Sequence, residues 1–329
     1  MPIIDSDAHT IEYDHTWDYM DESEQAYRPA ARPLGQGQGR GHGDKVVLPD
    51  ECRNPADVPA RVRHMDHLGT DVQVLYPTLF ISPYTSDPAK ELAMARSYNR
   101  WVGDVSRQSN GRMRWVVAPP LRSMDACIDE LRWGKQNGAC GVMMRGVEIE
   151  NKLLSDPYFF PMYEEAQRLD LPVCIHTGSA SEEISQIYGQ ESGFCRFKLV
   201  GIGACHNLLY TRTPENFPQL RWGFIELSAQ WVPYVLNDFV RRFDRAGKSY
   251  KPNVFRDNNI FITCQTTDDL PVILDIVGED VLLIGTDYGH ADSSTEIYAL
   301  QTFRENGTIP VAARRKILDD NARELYGLS

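Results

Sequence analysis

Asp7 and His9 stand two residues apart near the N-terminus, and Glu12 follows three residues later. Far along the chain come His176 in "IHTG", Glu226 in "GFIELS", and Asp287 and His290 in "GTDYGH". Carboxylates and imidazoles offer oxygen and nitrogen donors. The seven cysteines (52, 127, 140, 174, 195, 205 and 264) fall mid-strand or in helices, so sulfur stays out of the set. Such a set suits iron, manganese or zinc better than a soft-metal cage. Carboxylates gathered at one place repel one another and need a cation to hold them. A single ion would polarise a carbonyl or generate hydroxide, which leads to hydrolysis or decarboxylation. Two ions bridged by a carboxylate would suit iron and O2 chemistry, as in the di-iron carboxylate proteins.

These residues are useful together only if the fold gathers them. Short β-rich runs recur along the chain, and the spacing predicts strands over 2–9, 71–77, 112–119, 140–145, 171–176, 220–226, 259–264 and 281–286. Helix-like segments such as "PAKELAMARSYNRWVGDVSRQ" and "MDACIDELRWGKQNG" lie between them. Strands that alternate with helices imply parallel pairing through crossovers, and near-continuous apolar strands imply burial on both faces. Eight such units point to an α/β fold, a single-domain (β/α)8 TIM barrel over 1–329, with a loop insertion at about 13–55. A doubly wound sheet would place a Gly-rich phosphate loop after the first strand, where this chain has "DAHTIE". The Gly-rich run "RPLGQGQGRGHGDK" at 32–45 belongs to the polar insertion and is expected to form a loop over the site.

In a barrel, chemistry sits at the C-terminal ends of the strands. Asp7 and His9 share one face of strand 1 by the period of two. His176, Glu226 and Asp287 end strands 5, 6 and 8, and His290 follows closely. Any one of them alone reads as a strand-end hydrogen-bonding group; the cluster argues for metal. Glu12, just past strand 1, is expected to fold back over the mouth, and His206 in "GACHNLLY" is a further candidate ligand, with a packed helix histidine as the other reading. His290 can instead hydrogen-bond substrate, and Glu226 can orient His176. Arg145 is the strand-end cation noted for a substrate carboxylate, or for a salt bridge to a neighbouring acid. Tyr76, Trp231 and Tyr288 are candidate walls of an apolar substrate pocket, or core residues.

Composition excludes several classes. A net charge of -12 argues against nucleic acid, which needs a basic footprint. No apolar run approaches the length of a membrane span, and the N-terminus lacks a signal-peptide pattern, so a cytoplasmic protein is expected. The cysteines show no CxxC spacing and read as buried thiols rather than a disulfide frame.

Asp7-x-His9-x-x-Glu12, "IHTG", "FPQLRWGFIELSAQWVPYVL", "GTDYGHADS" and the closing "KILDDNARELYGL", in that order, resemble the amidohydrolase-related (amidohydrolase 2) family of TIM-barrel enzymes. That branch includes aminocarboxymuconate-semialdehyde and hydroxybenzoate decarboxylases. The resemblance implies that His9, His176 and Asp287 bind the metal, with Asp7 where relatives carry His or Glu. Two features depart from it. Those decarboxylases carry a catalytic His at the end of strand 6, where this chain has Glu226. The two-metal hydrolases of the superfamily use a Lys on strand 4, where this chain reads "GVMMRG".

The loss of the strand-6 His and the strand-4 Lys, with extra carboxylates kept, resembles a di-metal offshoot of that family that hydroxylates its substrate, so the narrowly preferred reading is a dinuclear non-heme iron or mixed-metal monooxygenase of a small or acyl-type carboxylate-bearing substrate. Glu226, His290 and Asp287 would be its catalytic groups. The alternative is a mononuclear zinc or manganese decarboxylase or hydrolase of such a substrate. A third reading, a binding barrel with a degenerate site, would leave a cluster of like charges without use. Expected partners are one or two divalent ions and no organic cofactor, a small-molecule substrate, O2 in the first reading, and a second copy of the chain as a homo-oligomer. For a coenzyme A ester, "RRFDRAGKSYK" at 241–251 would be the first place to look.

Overall fold

A computed structural model describes residues 2–30, 57–179, 181–191 and 193–328. Eight parallel strands pair in the order β1 to β8: Ile4–Thr10, Val72–Pro77, Met113–Val117, Ala139–Met144, Val173–His176, Trp222–Ile225, Ile260–Cys264 and Leu282–Ile284. The ring closes where Ala8 bridges Tyr288 in parallel and the amides of Thr286 and Asp287 donate to Asp7 O. This is a (β/α)8 TIM barrel. All eight expected strands form, several of them shorter than their apolar runs, because the run ends belong to loops that turn towards the site.

The reasons are local. β4, β5, β6, β7 and β8 are buried along their whole length, as strands covered by helices on one side and filled by side chains on the other must be. The crossover helix Pro88–Gln108 starts with Pro88 in its first turn, and the Asp87 side chain accepts from the Ala89 and Lys90 amides. The helix Val58–Leu68 is capped by Asp57 at one end and stopped by Gly69 at φ 67° at the other. Between the ends of β1 and this helix, Asp14–Tyr19 and Glu22–Tyr27 form 3-10 helices. The Gly-rich run at 32–45 and Cys52 lie outside the described residues.

The C-terminal helix Asn321–Tyr326 closes the lower end of the barrel. Tyr326 Oη donates to Ser6 O at 2.8 Å and lies 2.7 Å from Tyr76 Oη, and Leu325 packs over Gly223. Tyr76 therefore forms a floor beneath the imidazoles, its ring 4.9 Å from that of His176. It is fully buried, the core placement that was the other reading of this residue. Among the described residues no helix is long and apolar enough to cross a membrane.

Candidate metal centre

Strand β1 carries a bulge: its register against β2 shifts between Asp5 and Ala8. Asp7 and His9, two residues apart, face one centre. His9 Nε2 lies 3.1 Å from His176 Nε2, and Asp7 Oδ1 lies 3.2 Å from His176 Nε2 and 3.6 Å from His9 Nε2. Asp287 Oδ1 lies 3.4 Å from His9 Nε2. His9 and His176 are fully buried, and Asp7 and Asp287 nearly so.

Hydrogen positions decide what this convergence means. His176 Nδ1–H donates to Thr177 O at 2.7 Å, so in the neutral ring the Nε2 lone pair points at the centre. Burial, and then the neighbouring His290, push His9 well below the ordinary histidine range, so its ring is neutral as well. Burial works against charge on His176 too, yet the Asp7 carboxylate and then Glu226 lift it to about 9. Burial would raise Asp7, but His176 and His9 hold it well below the carboxylate range. Asp287 is pushed well up by burial and by the charges of Asp292 and Asp7. His290 Nδ1 stands 2.8 Å from Asp287 Oδ1, but off the line of a hydrogen bond, so that oxygen accepts none among the described residues.

Buried nitrogen and oxygen donors thus converge on one point, where in the metal-free protein a proton on His176 partners Asp7. Donors bound at about 2.1 Å to one ion stand about 3.0–3.5 Å apart, close to the 3.1–3.6 Å found here. Asp7, His9 and His176 form one group able to hold an ion, and His9, Glu226, Asp287 and His290 form a second. The donor chemistry fits a divalent cation.

Strained backbone marks two of these positions. Glu226 and Asp287 adopt φ 60° and φ 50°, a region that non-glycine residues seldom enter. Glu226 is held there by its amide, which donates to Thr263 Oγ1 at 2.8 Å; Asp287 is held by Thr295 Oγ1, which donates to Oδ2 at 2.7 Å. Glu226 Oε2 lies 3.7 Å from His176 Nε2. Burial, and next the charge of Asp287, lift the Glu226 carboxyl to about 8, with Lys198 and His176 pulling the other way. His290 stacks on His9 with ring centres 3.7 Å apart, and its Nε2 lies 3.0 Å from Thr78 Oγ1.

Five expected positions resolve differently. Glu12 does not fold back as a ligand: its two oxygens accept from the Thr78 and Leu79 amides at 3.0 and 2.9 Å, capping the turn after β2. His206 lies on the outer helix Val200–Thr211, 3.0 Å from Asp238 of the helix Val232–Arg245, so the packed-helix reading holds. Trp231 packs on Phe224 and Phe255, and its indole N–H donates to Ser228 O at 2.7 Å, outside the barrel mouth. Tyr288 follows inward-facing Asp287 and so points outward; its ring lies under the Arg61 guanidinium and its hydroxyl 2.7 Å from His64 Nδ1. Arg145 pairs with Glu148 at 2.6 Å, the salt bridge of the second reading, yet its Nη1 makes no hydrogen bond among the described residues. It lines a small recess of about 30 Å³ with Phe80, Tyr84 and Met143, and its stem would touch a Cβ at Gly178, two residues past His176.

Two groups escaped sequence reasoning. Asp5 is fully buried and accepts from the Thr286 amide and hydroxyl and from Gln73 Nε2, which ties β1 to both neighbours under the site. Lys198 reaches the mouth from a π-helical turn, Phe194–Leu199, and donates to Glu226 O and, at 2.6 Å, to Ser294 Oγ. The period of two put Asp5 on the same face as Asp7 and His9, and the register shift after Asp5, which sequence spacing does not signal, separates it from them; nothing in the spacing of the chain pointed to Lys198.

The centre also depends on Gly285. A Cβ there would collide with Asp7 Cβ and lie 2.9 Å from Asp7 N. Gly285→Ala is therefore expected to cost roughly 1–3 kcal/mol of stability and to lower divalent-ion affinity by displacing Asp7. Denaturant unfolding with and without ion measures both, and an unchanged affinity would show that Asp7 is not a ligand.

The family model described as Amidohydrolase matches residues 4–328. A gamma-resorcylate decarboxylase from Polaromonas sp. is 22% identical over 297 residues, covering 82% of this chain and 87% of that protein. A 2-amino-3-carboxymuconate-6-semialdehyde decarboxylase from Dictyostelium discoideum is 27% identical over 298 residues, covering 83% and 77%. Among solved structures, a dihydroxybenzoic acid decarboxylase from Polaromonas sp. with bound manganese and 2-nitroresorcinol superposes with a TM-score of 0.71 at 19% identity, over 99% of this chain and 97% of that one.

Proposed function

Because the chain belongs to the amidohydrolase family, we propose that it is a mononuclear, divalent-metal-dependent decarboxylase of a small aromatic or unsaturated carboxylate. Asp7, His9, His176 and Asp287 hold the ion, manganese or zinc. The ion, when bound, supplies Lewis-acid polarisation of the substrate's oxygens.

The chain's own residues supply the rest. Decarboxylation breaks a C–C bond, releases CO2 and leaves an electron pair on carbon, so the site must deliver one proton. Glu226 is suited to hold it, with a carboxyl lifted to about 8 and an oxygen 3.7 Å from a ligating nitrogen. Arg145 Nη1 is placed to take an oxygen substituent of the substrate in a recess with room for one polar group. His290, between Asp287 and Thr78, keeps the Asp287 carboxylate in register.

The observation that carries the reading is the convergence of buried carboxylate and imidazole donors at one end of the barrel, Asp7, His9 and His176 in one group and His9, Glu226, Asp287 and His290 in another. The two decarboxylase relatives add weight to it, and none of the relatives supports the iron- and O2-dependent reading. The test is CO2 release from 2,6-dihydroxybenzoate and a panel of ortho-hydroxylated and unsaturated carboxylates by manganese- or zinc-loaded protein. Release that stops on chelation and returns with the ion is expected. No release from any member, or O2 uptake matching product, would count against it.

A further inference from the structure

The mouth holds more donors than one ion uses. Once Asp7, His9, His176 and Asp287 are taken, Glu226 and His290 remain, within reach of His9 and Asp287. The Thr78 hydroxyl donates to Thr10 O, so it accepts from His290 Nε2–H. The His290 Nδ1 lone pair is then left 2.8 Å from Asp287 Oδ1. Donor chemistry alone would seat a second cation between them and Glu226.

Lys198 stands against that. Its ammonium donates to the backbone oxygen of Glu226 and to Ser294 Oγ at 2.6 Å, and lies 3.6 Å from Glu226 Oε1. These contacts come from the loops after β6 and β8, so the charge cannot swing away without losing both. A π-helical turn delivers it, a device that recurs at functional sites. An ion bound through Glu226 Oε1 at about 2.1 Å would lie no more than about 5.7 Å from Nζ. At that range a fixed single charge strongly opposes a double one in a partly dry site.

We propose that Lys198 is the built-in second cation of this centre, a positioning residue that keeps a fixed charge beside Glu226 and so limits the site to one divalent ion per chain. The inference rests on the reading that Asp7, His9, His176 and Asp287 hold a metal. It assigns to an ammonium the offset of carboxylate repulsion that a second metal would otherwise supply.

The test is Mn2+ titration of chelator-stripped full-length protein, by calorimetry and by metal analysis after gel filtration. Electron paramagnetic resonance reports paired ions through their exchange coupling. Wild type binds one ion, and Lys198→Arg, which keeps the charge, also binds one. Lys198→Met binds two, the second at least about a hundred-fold more tightly than any second ion in wild type. Lys198→Gln serves as the other neutral variant, with circular dichroism to confirm the fold. Two ions in wild type, or one in both neutral variants at saturation, overturns the proposal while leaving the metal reading intact. No ion in wild type overturns the metal reading, and this inference with it.

Discussion

His176→Ala lowers divalent-ion affinity by more than about a hundred-fold and takes metal-dependent turnover to background. The effect is this large because His176 Nε2 sits among three other groups of the centre: 3.1 Å from His9 Nε2, 3.2 Å from Asp7 Oδ1 and 3.7 Å from Glu226 Oε2. Even groups that only orient a ligand cost 10–100-fold in affinity when lost, and a ligand costs more. In the metal-free protein the same ring, lifted to about 9, partners Asp7. Its removal leaves a buried carboxylate unpaired, at a cost of about 3 kcal/mol. Metal analysis and thermal unfolding of the purified variant check both. Full metal content with full turnover would make His176 structural and dissolve the centre.

The barrel was open to a reading of the chain because strand and crossover each announce themselves by period, and the strand ends then say which residues meet. Asp7, His9, His176 and Asp287 are brought together by barrel closure and by nothing nearer in the chain, and their order along the strands is enough to find them. The failures have local causes. Alternation already places Tyr288 behind Asp287, and its polar tip finds His64 rather than substrate. Tyr76 does face inward, but a helix 250 residues away covers its hydroxyl. Glu12 looked like a ligand because its type fits one, yet two backbone amides of a turn had the stronger claim on a buried carboxylate. Lys198 was invisible because its place depends on a π-helical turn that no period signals.

The Glu226→Gln variant keeps its single ion and loses turnover by about 10²–10⁴-fold. Glutamine preserves the shape of the side chain, and the backbone contacts that hold the left-handed residue in place, from the amide to Thr263 and from Lys198 to the carbonyl, do not involve the carboxyl. What glutamine cannot do is give up a proton and take it back. In the metal-free protein burial and the charge of Asp287 lift this carboxyl to about 8, where an ordinary glutamate would already have released its proton. A second metal bound through Glu226 would claim the same oxygens and end the proposed acid role, whereas the Lys198 ammonium, 3.6 Å from Oε1, favours the carboxylate without ligating it. Metal content and CO2 release measured on the same preparation separate the possibilities. Loss of both would make Glu226 a ligand, and retention of both would move the proton to another group, with His290, 2.8 Å from Asp287, the next to test.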